Sequence, residues 1–357
     1  MRRKTWGPAF ATKVCERAGR ARREGSPMRI LFLGGTSFAG RFTAEMALAA
    51  GHTIVFFHRG KTNPSLFPDA RHVLGDRSSD AALLRDIEAD VVIDTSGYTP
   101  DAVAASARAV AANVRKYIFM SSVSVYESSP ASVDESSPTQ KLPEGASTSE
   151  LVAELYGPLK ARCEQELLQI LGPERVVIVR AGLMIGPYDY TGRFTYWPVR
   201  VARGGEILAP VGRDMLVQFI DARDVAAWIN GAITQDLNGT FNVTGTPRAL
   251  NFGDVLDASR EASGIDARFT FVPSEFLQAQ NVGEWIELPL WIADSDEMAS
   301  LLTIGTERAR ATGLQLRSLT TTAGDVLAEY RRRPDPALRA GLAPEKEAAV
   351  LAAWHAR

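Results

Sequence analysis

From Met28 onward the apolar positions fall in short unbroken runs: Ile30–Leu33, Ile54–Phe57, Val91–Ile93, Tyr117–Met120 and Val176–Val179. Runs of four or so apolar residues with no alternation suit strands buried on both faces. We expect strands at Arg29–Leu33, Thr53–Phe57, Arg71–Leu74, Val91–Asp94, Tyr117–Met120 and Val176–Arg180. Between them lie stretches of helical character around Arg41–Ala50, Asp80–Glu88, Pro100–Ala112 and Pro158–Leu171. Regular alternation of strand and helix predicts an α/β fold, a parallel sheet covered by helices on both faces. In such sheets the ligand lies beyond the carboxyl ends of the strands, so the residues following each strand are the ones to read.

The first strand runs directly into Gly34-Gly35-Thr36-Ser37-Phe38-Ala39-Gly40 and then into a helix. Strand, glycine turn and helix form the phosphate-binding start of a dinucleotide fold, with free N–H groups of the helix start facing a pyrophosphate. Gly34 makes the tight turn and Gly40 lets helix and strand approach; Thr36, Ser37 and Phe38 complete the loop. Ser37 stands where a third loop glycine is usual. After the second strand, His58-Arg59-Gly60-Lys61 contains no acid for ribose hydroxyls. Arg59 and Lys61 are suited to a 2′-phosphate, which favours NADP over NAD. After the third strand Asp76 is placed for the adenine amino group, and after the fourth Ser96 and Gly97 let the backbone pass close to the ribose.

The fifth strand ends in Ser121-Ser122-Val123-Ser124, and a Ser/Pro/Glu-rich stretch leads to Tyr156-Gly157-Pro158-Leu159-Lys160. Pro158 belongs in a first helical turn, which puts Tyr156 at the helix entrance and Lys160 one turn on, close to the same face. An ammonium beside a phenol lowers the phenol's pKa, so Tyr156 is expected to titrate below its ordinary range. A phenol so tuned can exchange a proton with a carbinol oxygen near neutral pH.

These residues together resemble the extended short-chain dehydrogenase/reductases of the NAD-dependent epimerase/dehydratase family, over roughly Met28 to Tyr330. The loop Gly34–Arg41 with Phe56–Lys61 is similar to an atypical branch whose loop reads G-G-T-x-F-x-G-R. The resemblance implies a Rossmann-type doubly wound parallel sheet with a smaller C-terminal α+β substrate lobe. It implies catalysis by Ser122, Tyr156 and Lys160, with Ser124 the rival for the serine role and Glu164 the acid often found after the Lys. It also places the backbone near Pro187 against the nicotinamide. The family's nucleotide-sugar enzymes grip the substrate diphosphate with an Arg that here is Val217, so a nucleotide sugar is disfavoured.

Three divisions follow. Residues 1–27 are expected to be a disordered basic extension, with eight Lys/Arg against Glu16 and Glu24. Residues 28–180 form the dinucleotide-binding domain. Residues 181–357 supply mostly the substrate lobe, with segments returning to the core and a helical tail. In the lobe, Gly186–Arg200 gathers aromatics around two arginines, so Tyr188, Arg193, Tyr196, Gln218 and Ser124 are candidate substrate contacts for a sugar-like or anionic compound.

Composition excludes more than it adds. With a net charge of −2 there is no global attraction for nucleic acid or anionic lipid, and no apolar run is long enough to span a membrane. Cys15 and Cys163 alone make no disulfide framework, which fits a cytoplasmic setting, and the four histidines lack ligand spacing, so no metal is expected. The leading expectation is an NAD(P)-dependent oxidoreductase or epimerase acting on a small polar substrate, with a homodimer implied by the resemblance. The alternative is a non-catalytic cofactor-binding protein that interacts with RNA or another protein. The odd Ser37 and the chloroplast stem-loop binding proteins of the atypical branch motivate it.

Overall fold

The computed structural model describes residues 26–129, 131–292, 302–333 and 337–357; the extension expected at 1–27 therefore lies, up to residue 25, outside the described residues. Six strands appear where they are expected: β1 (Arg29–Leu33), β2 (Thr53–His58), β3 (Arg71–Leu74), β4 (Val91–Asp94), β5 (Lys116–Ser122) and β6 (Val176–Ala181). The chain then leaves the sheet through β7 (Leu183–Ile185), β8 (Glu206–Pro210), β9 (Leu216–Val217) and β10 (Phe219–Asp221). It returns as β11 (Gly239–Val243) and leaves again as β12 (Leu250–Asn251) and β13 (Arg268–Val272). The central sheet has seven strands in the order β11-β6-β5-β4-β1-β2-β3, every neighbouring pair parallel. Strand order reverses between β1 and β4, and the crevice at such a switch point is where these sheets bind ligands.

Both faces are covered. On one, α1 (Phe38–Ala49) packs through Phe42, Ala44 and Ala47 against Val225, Trp228 and Ile229 of α5 (Ala222–Thr234). On the other, α2 (Pro100–Val110) sets Val103, Ala107 and Val110 against Cys163, Leu167 and Leu171 of α3 (Tyr156–Leu171). The stretch Asp80–Glu88 is a 3-10 turn over Ala81–Asp86 and not an α-helix. Its buried apolar residues, Leu84 and Ile87, are three apart, the spacing that a 3-10 turn stacks.

The lobe has its own core, in which Phe194, Trp197, Phe252 and Trp291 are wholly buried. Its small sheets pair β10 with β7, β12 with β9 and β13 with β8. Helices α4 (Tyr196–Val201), α6 (Phe252–Ser263), α7 (Ser274–Ala279) and α9 (Leu319–Tyr330) enclose that core, while α8 (Glu307–Ala311) returns to the main sheet through Ala309. Helix α6 shows how local sequence sets its ends. Asn251 and Asp254 cap each other's backbone N–H groups at 3.0 and 2.8 Å, and Gly264 stops the helix in the left-handed conformation at φ 69°. The tail helix α10 (Pro344–His355) docks on the lobe: Glu347 is buried, accepts from Arg200 Nε at 2.6 Å and from the Leu208 N–H at 3.1 Å.

Candidate active site

The phosphate loop is built by close approach. Gly34 takes φ 88°, a left-handed conformation that side chains resist, and its N–H donates to the Phe57 carbonyl at 3.0 Å. The Gly35 N–H donates to Thr95 Oγ1 at 3.0 Å, which ties the turn to the end of β4. At Gly40 an added Cβ would lie 2.9 Å from Gly35 Cα, so the helix start sits directly on the turn. Ser37 is the N-cap residue of α1 in extended conformation, with its hydroxyl making no cap bond to the helix. Thr36 is turned away, donating to the Thr62 carbonyl at 2.8 Å.

The neighbouring turn is held by two histidines. The Gly60 N–H donates to His58 Nδ1 at 2.9 Å, which leaves the proton of neutral His58 on Nε2, 2.7 Å from His72 Nδ1. His72 Nε2 then donates to the Phe67 carbonyl at 3.0 Å. Burial, followed by the neighbouring His72 ring, pushes the His58 pKa below its ordinary value. Arg59 and Lys61 of this turn line the crevice, Arg59 4.0 Å from the Asp76 carboxylate.

Lys160 is 3% exposed and donates to the carbonyls of Gly97 at 2.7 Å and Met120 at 2.6 Å. An ammonium has three donors, so one remains for a ligand. Burial pushes Lys160 down to about 8, against the opposing pull of Cys163, Asp94 and Glu164. Beneath it, Asp94 is wholly buried and takes Arg77 Nη1 and Nη2 at 2.7 and 2.8 Å, Tyr117 Oη at 2.7 Å and the Ser96 N–H at 3.1 Å. Burial alone would raise Asp94; the Arg77 guanidinium and these hydrogen bonds reverse that and hold it below the carboxylate range.

Tyr156 corrects one expectation. Its pKa is raised, by burial first, while the Ser122 hydroxyl pulls the other way and the nearby Tyr190 and Cys163 add to the rise. Lys160 is committed to two carbonyls and lies 4.3 Å from the Phe119 ring centroid, so its charge does not turn the balance. The same burial raises Tyr98, beside Tyr190 and Tyr156, to about 12. As it stands, Tyr156 is a protonated donor.

All of this opens on one cavity of about 890 Å³. Its lining includes Gly34, Thr36, Ser37, Phe38, Gly40, Arg59, Lys61, Asp76, Ser96, Tyr156 and Lys160. The crevice joins the phosphate loop at one end of the switch point to the Tyr-Lys helix at the other.

The model of the NAD dependent epimerase/dehydratase family matches residues 30–244, more than half of the chain. The chain belongs to that family. Among solved structures, the Bordetella bronchiseptica enzyme WbmH in complex with NAD+ shares the fold at TM-score 0.63 and 16% identity, covering 87% of this chain and 100% of that one. A UDP-glucose 4-epimerase gives 0.64 at 16%, covering 87% and 99%. The UDP-N-acetylglucosamine 4-epimerase from Bacillus cereus gives 0.62 at 16%, covering 86% and 98%. No curated protein matches the sequence.

Within this epimerase/dehydratase chain the remaining candidates divide. Ser122 lies next to Tyr156, and its hydroxyl both donates to Ser124 Oγ and accepts the Ser124 N–H at 3.1 Å. Ser124 thus supports Ser122. Ser121 faces the cavity but donates to Glu164, which also binds Arg180 Nη2 at 2.7 Å; Glu164 is a buried structural acid. Gly97 contributes the carbonyl that holds Lys160.

Several predicted contacts lie outside the cavity lining. Gln218 is buried, its amide donating to the Gly245 and Ile304 carbonyls at 2.6 and 2.9 Å and accepting the Ile304 N–H at 2.8 Å. Every atom of that amide is spent on backbone, so Gln218 holds a loop and leaves nothing for a substrate. Tyr196 packs edge-on against Trp197 in the lobe core. Arg193 sits beside Asp189 and over Trp285 at 5.0 Å, with burial lowering its pKa. Tyr188 adopts φ 64°, which turns its ring onto Arg41 at 3.8 Å and Phe42 at 5.9 Å. Pro187 is buried beneath that turn, and Val217 is buried in the lobe. The cavity instead uses Arg77, Tyr98, Ser149, Leu151, Met184, Tyr190 and Arg339, which sequence reasoning did not single out. Tyr190 shares its aromatic run with Tyr188, but only the left-handed turn at Tyr188 decides which of the two faces the crevice.

Proposed function

We propose that the protein moves a hydride between a bound nicotinamide cofactor and a carbinol carbon of a small polar, sugar-like substrate, as an oxidoreductase or epimerase. The observation that carries the reading is that the glycine loop, Tyr156 and Lys160 line a single cavity. The cofactor would supply or accept the hydride. Loop residues Gly34–Gly40 would hold its pyrophosphate, Ser96 and Lys160 its nicotinamide ribose, and Asp76 its adenine. Arg59 and Lys61, with no carboxylate on their own turn, would take a 2′-phosphate, so NADP is preferred over NAD. Tyr156, kept protonated by burial, donates its proton to a carbonyl oxygen in the reducing direction and takes it back in the oxidising one. Ser122, which is not among the residues lining the cavity, would hold that oxygen once its hydroxyl turns from Ser124. The third N–H of Lys160 stabilises the phenolate once a ligand draws it over. Buried Val217 offers no cation for a diphosphate, which supports a substrate smaller than a nucleotide sugar.

The test is Tyr156→Phe. Turnover should fall by about a thousandfold or more, the upper part of the range for a general acid, while cofactor affinity stays within about twofold. Turnover equal to that of the unaltered enzyme would remove the catalytic reading. Mass spectrometry of nucleotide released from the purified protein separates the two chemistries: retained NAD marks an epimerase, freely exchanging NADPH a reductase.

A further inference from the structure

The crevice has a roof as well as a floor. Beside the glycine loop, its lining takes Met184, Tyr190 and Arg339 from the later part of the chain. Tyr190 stands 57% exposed, yet its ring meets Phe38 of the loop edge-on at 6.4 Å. Arg339 lies 6.0 Å from the Tyr190 centroid. The backbone that carries it is fixed from both sides. Leu338 and Arg339 run against Gly192 of the loop after β7, and just beyond them the Gly341 N–H donates to the Ile286 carbonyl at 2.7 Å between buried Ala340 and Leu342. The guanidinium itself, by contrast, meets no carboxylate among the described residues within salt-bridge range, whereas Arg77 in the same cavity is locked to Asp94. A cation with a fixed base and no carboxylate partner, set beside the Tyr190 ring in the cavity that the glycine loop also lines, is matched by an anion bound there.

Resting on the cofactor reading above, we propose that Arg339 clamps the cofactor's pyrophosphate from the lobe side, with Tyr190 as the hinge plate that closes the roof over Phe38. The segment before α10 is then part of the dinucleotide site, although it is some three hundred residues from the glycine loop in sequence. Phosphate oxygens bound on one side by loop N–H groups receive the guanidinium on the other, and water is shut out between them. Arg339 acts on binding and retention of cofactor, not on the reacting carbon.

Equilibrium titration of the full chain with NADH, ADP-ribose and adenosine tests this. Arg339→Gln should weaken NADH and ADP-ribose alike, by about tenfold for a charge-assisted bond at a partly exposed site, and leave adenosine unchanged. Arg339→Lys should recover part of the loss, and added salt should shrink the difference. Unchanged ADP-ribose affinity in Arg339→Gln, an equal loss for adenosine, or an effect confined to substrate KM would each overturn the clamp. Should the unaltered protein bind neither NADH nor ADP-ribose, the cofactor reading itself fails. If it binds both and Arg339→Gln binds them equally well, only the roof is lost.

Discussion

Asp94→Asn is the substitution with the largest calculable consequence. The carboxylate is wholly buried and takes four hydrogen bonds, two of them from the forked guanidinium of Arg77, whose side chain is 11% exposed. An amide keeps the shape but has one acceptor oxygen, and its NH₂ would face donors from Arg77 and Tyr117. Ser106 Oγ, accepting from Arg77 Nε at 3.2 Å, is then the guanidinium's remaining side-chain partner. Breaking one side of a buried pair in this way costs about 3–5 kcal/mol, because the surviving charge stays uncompensated. Urea unfolding followed by tryptophan fluorescence should show that loss as a shift in midpoint.

The double variant Asp94→Leu with Arg77→Met gives the sharper reading. Without either charge no buried charge is left unpaired, only the Tyr117 hydroxyl and the Ser96 N–H, so it should be less damaged than Asp94→Asn alone. Asp94 also holds the Ser96 N–H, one residue before the carbonyl that anchors Lys160, so cofactor affinity should drop in both variants. The pH dependence follows from the sign of the shift. Asp94 titrates below its ordinary 3.8 when folded, so its contribution is complete above that value and is lost as pH falls through the lower folded pKa. A single-variant loss under about 1 kcal/mol, within reach of ordinary surface changes, would refute the argument. Additive losses in the double variant would do the same.

Three further outcomes can be measured directly. Lys160, lowered from 10.5 to about 8, is neutral in the folded protein while still charged in the unfolded chain between those values, so its burial penalty eases as pH rises. The stability gap between the unaltered protein and Lys160→Met should move by about 2 kcal/mol toward the former from pH ~7.5 to ~9.5, and a gap flat across that range would contradict the shift. Gly40→Ala puts a Cβ against the Gly35 backbone; about 1–3 kcal/mol of overpacking and a weaker NADH complex should appear together in thermal melts and titrations. Glu347→Gln removes the charge opposite Arg200 and leaves one acceptor oxygen where two served Arg200 Nε and the Leu208 N–H, so α10 should become the first site of limited proteolysis, with a loss of up to about 3 kcal/mol for a weakened, largely buried pair.

The part of the site carried by local chemistry was legible. Unbroken apolar runs set five of the six strands because a strand buried on both faces has no polar alternation, and Gly34–Gly40 and Tyr156–Lys160 carry their geometry within a few residues. Lys160 lies one turn on from Tyr156 in α3 as the spacing implies, but its ammonium goes to the Gly97 and Met120 carbonyls. The sign of the Tyr156 shift was not legible. Spacing says that a lysine is near, but not that two carbonyls would take its protons and that burial would dominate.

What sequence reasoning missed shares one physical cause: each missed residue is placed by a contact whose other half lies far along the chain. Arg77, in the loop after β3, matters because it pairs with buried Asp94 at the end of β4, three places across the sheet, and Gln218 is lost to the substrate because Ile304 claims its amide. Tyr188 and Tyr190 are indistinguishable by type, and only the fold shows that Tyr188, at a left-handed φ, packs on Phe42 while Tyr190 meets Phe38 and lines the crevice. Arg339 is the extreme case. No motif surrounds it, and it reaches the crevice only because Glu347 binds Arg200 and Gly341 binds Ile286, which together lay the tail across the lobe. The family's model matches residues 30–244, so Arg339 and the tail lie beyond the segment that it describes. If the tail carries a cofactor cation, Glu347→Gln should weaken NADH binding without touching any residue of the crevice. A tail variant that unravels α10 while leaving NADH affinity intact would place the roof elsewhere.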